Sequence, residues 1–232
     1  MDYKIDIINQ TENIESSIKL PSNFKNKLIA LITKKDVPSY FLGHEYVFDS
    51  VVIINIMTKE QLDKFLLSLD KRFENNVVPK WIKGFSCELG VYLVLSENED
   101  EDLNIALHET VHFYSMQLKA PVDRFHFLEE AITTYICSQM TTGKFSKVVE
   151  DKNNNSLRTI KSLIKTNEND TFANNKGYYY SFFFMKFLKN KYYKSKIIEY
   201  ITDNEKFFND LEKLEKEYRE FLLEQIEYYT KK

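Results

Sequence analysis

A change of hydrophobic period near residue 97 constrains this chain more than any other feature. Before it, the alternation in YKIDII (3 to 8) and the β-branched run SVVIINI (50 to 56) predict strands. Each is followed by helical spacing, over 22 to 34 behind Pro21-Ser22 and over 59 to 73 with Thr58 as N-cap. WIKGFS and GVYLVLS then flank Cys87-Glu88-Leu89 as the two arms of a hairpin. Beyond residue 97 only helical spacing remains. Strands collected in the first part and helices in the rest predict an α+β chain: a mixed α/β lobe, then an all-α lobe, with 97 to 140 at their junction.

The acidic run ENEDED (97 to 102) reads as the start of a helix, where carboxylates complement the helix dipole. That helix extends to about Leu118, before Pro121, and Asp123 caps the next, RFHFLEEAITTYICSQM, to about Met140. TTGKFSKVVEDKNNNS (141 to 156) is polar and predicts a loop near any site. From Leu157 the chain is helical, and its last helix opens with a capping box from Thr202 to Glu205. Phe208, Leu211, Leu214, Tyr218, Phe221 and Leu222 form its apolar face, which predicts packing on its own lobe.

With 232 residues, 43% of them hydrophobic, the chain buries a proper core as a single domain, its lobes spanning 1–118 and 119–232. A net charge of −3 from 32 basic and 35 acidic residues argues against nucleic acid or an anionic membrane as partner. No segment reaches the roughly 20 apolar residues of a membrane span. The amino terminus lacks a leader's apolar run, so a cytoplasmic chain is expected. Cys87 and Cys137 stand outside any C-x-x-C arrangement and are expected to be buried, reduced thiols.

Function is argued from ALHETVHFY (106 to 114), which holds two of the four histidines. Residues four apart share a helix face, so the His108 and His112 imidazoles converge on one ion. Glu109 is turned about 100° from His108, which places its carboxylate beside such an ion as a base. H-E-x-x-H of this kind binds Zn²⁺ in peptidases. HEYVF (44 to 48) is an internal control: His44-Glu45 has no second histidine and is expected to be an ordinary pair. Catalytic zinc takes a third protein ligand, and FLEEAITTY (127 to 135) offers Glu129 or Glu130, with His126 as a further alternative.

ALHETVHFY followed by FLEEAITTY resembles the gluzincin metallopeptidases, in particular the aminopeptidase-N-like branch. In that branch the ligand helix reads W-L-N-E-G-x-A-x-Y. Phe127, Leu128 and Tyr135 fall on its Trp, Leu and Tyr, and Glu130 falls on the zinc-binding glutamate. YYYSFFFMKFL aligns with the downstream Y-x-K-G-A segment, placing Tyr178 on the tyrosine that donates to the oxyanion; Tyr179 and Tyr180 adjoin it. GFSCELG (84 to 90) stands where the family has an edge strand, and Glu88 is nearest to the glutamate that holds a substrate's amino terminus. The G-x-M-E-N pattern itself is missing.

The resemblance implies a zincin-like fold and a Zn²⁺-dependent peptidase acting on peptides or proteins, and the departure from G-x-M-E-N favours an endopeptidase, or another amide hydrolase, over an aminopeptidase. His108, His112 and Glu130 are the implied ligands, Glu109 the base, and Thr134 a partner supporting a ligand. The alternative is a catalytically silent, zinc-stabilised protein-binding module.

Overall fold

The computed structural model describes residues 3–11, 19–41, 43–69, 77–118, 126–137, 142–165 and 176–231, within two compact units, Met1–Leu118 and Lys119–Lys232. The chain is mixed α/β and mostly helical, with one small sheet.

The first unit holds the sheet. Its strands are β1 (Ile5–Asn9), β2 (Val52–Ile56), β3 (Gly84–Cys87) and β4 (Gly90–Leu93), in the spatial order β1-β2-β4-β3. β1, β2 and β4 are parallel, while β3 pairs antiparallel with β4 at the sheet's edge. Parallel neighbours need crossovers, which α1 (Phe24–Lys34) and α2 (Lys59–Leu69) supply. Both central strands bury their apolar residues, as strands covered on two faces must: Val52, Ile54 and Ile56, then Val91 and Leu93.

Capping chemistry sets the helix starts. The Thr58 hydroxyl accepts from the Gln61 N–H at 3.2 Å, and the Gln61 side chain accepts from the Thr58 N–H at 2.8 Å, a reciprocal box. α1 starts from Asn23 in a left-handed conformation, not from the expected Pro21-Ser22. The third helix, α3 (Glu99–Gln117), starts at Asn98, whose side chain accepts from the Glu101 N–H. The acidic run thus does lie over a helix N-terminus, and one of its members goes further. Asp102 is buried and accepts from both the N–H and the hydroxyl of Ser96, locking the end of the hairpin to α3.

The sheet's two faces are filled by alternation. Tyr92, with Phe85 and Cys87 beside it, joins Met57, Leu62 and Leu66 in one apolar cluster. Gly84 and Ser86, on the opposite face of β3, meet α3 instead. Leu103, Ala106, Leu107, Val111 and Tyr114 of α3 are buried, as their spacing predicts, and the Tyr114 ring meets Phe48 edge-on at 4.6 Å. Gly90 has φ 142, and a Cβ there would lie 2.4 Å from the Ile53 carbonyl oxygen, so the tight hairpin beside β2 requires glycine.

The described part of the second unit is helical: α4 (His126–Ile136), α5 (Thr142–Asn153), α6 (Ile160–Ile164), α7 (Gly177–Lys191), α8 (Lys194–Thr202) and α9 (Asn204–Thr230). Its core is aromatic and centred on α7. Phe184 packs on Phe127 at 5.2 Å and perpendicular to Tyr218 at 5.3 Å. Polar atoms among these rings are paired: the Tyr218 hydroxyl donates to the Tyr180 carbonyl, and the Tyr180 hydroxyl donates to Asp151. Burial, then the Asp151 hydrogen bond, pushes the Tyr180 phenol pKa upward.

Four expectations are corrected here. The stretch expected as a polar loop forms α5, because Phe145, Val148 and Asp151 recur at helical spacing on a buried side, with Asp151 also paired to Lys176 at 2.6 Å. α9 is capped by Asp203, accepting from the Lys206 N–H, and not by Thr202, whose hydroxyl turns back to the Ile198 carbonyl. Its buried stripe begins at Phe207 and runs through Leu211, Leu214, Tyr218 and Leu222, while Phe208 is 44% exposed and Phe221 only half-buried. Cys87 is half-buried where full burial was expected; Cys137 is buried, and neither is in a disulfide. The described α4 stops at Ile136, with Pro121, Asp123 and Met140 outside the described residues, as are residues 70–73 at the expected end of α2.

Candidate metal centre

α3 brings its two histidines together because nothing interrupts the helix between them. The Nε2 atoms of His108 and His112 lie 3.1 Å apart, with ring centroids at 4.7 Å and planes at 75°. Two nitrogens each about 2.0–2.1 Å from a tetrahedral zinc are themselves about 3.3 Å apart, so this spacing suits a shared ion. Both rings are half-buried.

Within the first unit, His108 and His112 thus offer two imidazole nitrogens to one ion. Glu130 is 4% exposed, while its neighbour Glu129 is half-buried. A carboxylate at that depth is costly unless hydrogen-bond donors or a cation face it. Two imidazoles at this spacing fit zinc, and with Glu130 as the expected third ligand they would make the N₂O donor set of catalytic sites, which leave a position open.

Glu109 points away from the histidine pair's shared stripe, toward the sheet edge. Its Oε2 accepts from the Ser86 hydroxyl at 2.9 Å. Gly84, two residues earlier on the same strand face, makes that approach achievable. A Cβ there would lie 2.7 Å from Ile105 Cγ2 and 2.9 Å from Glu109 Cγ. Neither residue was expected to contribute to the site. The signal in GFSC is two small residues at a spacing of two, which share a strand face and let a helix come close.

The other expected residues are placed as follows. Glu88 is exposed at the turn between β3 and β4. Tyr178 is half-buried in the first turn of α7, where its carbonyl accepts from the Ser181 hydroxyl. Tyr179 lies under the Lys147 ammonium at 5.9 Å. Tyr180 is buried with its hydroxyl engaged by Asp151, which removes it as an oxyanion donor. Thr134 does not meet the Glu130 carboxylate as expected: its hydroxyl donates to the Glu130 main-chain carbonyl one turn back. The His126 side chain lies outside the described residues. No helix among the described residues is long and apolar enough to cross a membrane.

No protein-family model, curated protein or solved structure matched the chain. The functional reading rests on these residues alone.

Proposed function

We infer that the chain is a zinc-dependent peptide hydrolase of zincin-like fold, in which His108, His112 and Glu130 hold the ion and Glu109 is the general base. The observation that carries this reading is the approach of the His108 and His112 Nε2 atoms to 3.1 Å on α3, within the first unit. Zinc supplies Lewis acidity to such a site, polarising a scissile carbonyl and making water acidic enough to ionise near neutral pH.

The chain's own residues do the proton work. Glu109 takes a proton from the attacking water as its oxygen bonds to the carbonyl carbon. The same carboxyl then delivers that proton to the amide nitrogen as the C–N bond breaks. Its position one residue after His108, turned toward β3, supports a base over a ligand. Tyr178 is the proposed donor to the oxyanion, a role worth a few kcal/mol where the hydrogen bond forms. An endopeptidase fits better than an aminopeptidase, since Glu88, the nearest carboxylate to the amine-holding position, stands exposed at a turn.

The test is the metal content of untagged protein purified without added metal, beside its hydrolysis of a peptide mixture. Near-equimolar zinc with cleavage that Glu109→Gln abolishes is expected. Folded protein that takes up no zinc when supplied would overturn the ligand set. Zinc-loaded protein that leaves every peptide intact would convert the reading to a binding module.

A further inference from the structure

Glu109 presents a chemical difficulty that the proposed mechanism leaves open. A carboxylate on a flexible side chain, one residue from a ligand histidine, is itself a good oxygen ligand for zinc. If it joined the ion it would occupy the open position and cease to be a base. The fold contains a device against this.

We propose that Ser86 is a positioning residue that tethers the Glu109 carboxylate to the edge strand, holding it beside the metal ligands and off the ion. The inference rests on the metal reading above. Three observations support it. The Ser86 hydroxyl donates to Glu109 Oε2 at 2.9 Å. Ser86 sits within β3, paired in register with Val91 of β4, so the sheet fixes the direction of its Cβ and leaves only one side-chain torsion to aim the hydroxyl. Gly84 shows that close contact between strand and helix is built in, since any side chain there would meet Ile105 and Glu109 itself. A water could donate the same hydrogen bond, but it would not hold the carboxylate to a fixed point on the scaffold.

The experiment compares wild type, Ser86→Ala and Ser86→Thr, each loaded with zinc and, separately, with cobalt(II). The visible absorption of cobalt(II) falls as coordination number rises, which reports the metal's surroundings without reference to turnover. Ser86→Ala is expected to keep near-equimolar metal, to hold zinc several-fold more tightly in chelator competition, and to show weaker cobalt absorption. Its kcat should fall by about tenfold, within the range for residues that orient metal-site groups, with KM little changed. Ser86→Thr keeps the hydroxyl and should restore both the spectrum and kcat. A Ser86→Ala cobalt spectrum identical to that of wild type would overturn the tether, whatever the activity. Wild-type protein that binds neither metal would instead overturn the ligand set and the tether together, so the two failures are distinct.

Discussion

His44-Glu45 and His108-Glu109 are the same dipeptide in two settings within the first unit. His44 precedes a short 3₁₀ turn (Glu45–Asp49), its ring edge-on to Tyr46 at 5.8 Å. Glu45 is exposed and accepts from the Gly43 N–H at 3.1 Å. His108 and Glu109 stand in the interior of α3, where main-chain N–H groups are already engaged by carbonyls one turn back. A carboxylate in a turn finds a local main-chain donor; in mid-helix it must look outward, and Glu109 finds Ser86 on another strand. The helix also supplies the fourth-neighbour contact. His108 meets His112, whereas the residue four after His44 is the buried Phe48. The proposed metal chemistry rests on an uninterrupted helix and a neighbouring strand, not on the dipeptide.

That contrast breaks most sharply at His112. His112→Ala should lose its zinc on dialysis and reduce hydrolysis to the uncatalysed background, while His44→Ala keeps both; elemental analysis and a peptide assay read the two together. Retained zinc in His112→Ala would remove the basis of the comparison. Next in size is Glu109→Gln, expected to keep zinc and lower kcat on the order of 10²- to 10⁴-fold, the usual contribution of a positioned acid–base group. Glu45→Gln should leave kcat unchanged. Equal effects at the two glutamates would mean that Glu109 has no special role.

Glycines sharpen the comparison further. At Gly84 the obstacle to a side chain is space: alanine would press on Ile105 and Glu109, and overpacking of this sort costs about 1–3 kcal/mol. At Gly43 nothing lies within 4 Å of an added Cβ, but φ is +85, and a left-handed conformation costs a non-glycine residue about 1–2 kcal/mol. Both variants should therefore lower the urea midpoint by similar amounts. Only Gly84→Ala should also lower kcat, because only it displaces Glu109, the proposed base.

How much of this could be read in advance depends on the range of the forces involved. The β-branched Val52–Ile56, the Thr58 cap and the histidine spacing in α3 express local preferences, and all appear in the structure at those positions. α5 was hidden because its polar composition outweighs two apolar positions, Phe145 and Val148. Its third buried residue, Asp151, is satisfied by Lys176 and Tyr180, 25 and 29 residues downstream. At the start of α9, Thr202 and Asp203 are both competent caps. The preceding helix decides between them by taking the Thr202 hydroxyl. Phe207 rather than Phe208 opens the apolar stripe because it stands four residues before Leu211 and seven before Leu214, on their face. Ser86 was illegible for a related reason. Its partner depends on β3 being an antiparallel edge strand whose even-numbered residues face α3, and that requires the strand order of the whole sheet.

The smallest expected effect belongs to Glu45, and it has a definite sign. Its own main-chain N–H, then that of Gly43, hold its carboxyl below the usual glutamate range. A group whose pKa is depressed on folding lends stability that is fully present above its unfolded pKa and fades as pH falls through the folded one. Glu45 should therefore titrate below free glutamate in carboxyl-carbon NMR. Glu45→Gln should remove a small acid-side loss of stability and change nothing at neutral pH beyond the missing hydrogen bond. Solvent screens so exposed a group, so only the NMR midpoint, and not the unfolding curve, is expected to resolve it. A midpoint at or above the ordinary value would mean that the turn does not hold this carboxylate, and the first half of the comparison would fail while the Ser86–Glu109 half stood.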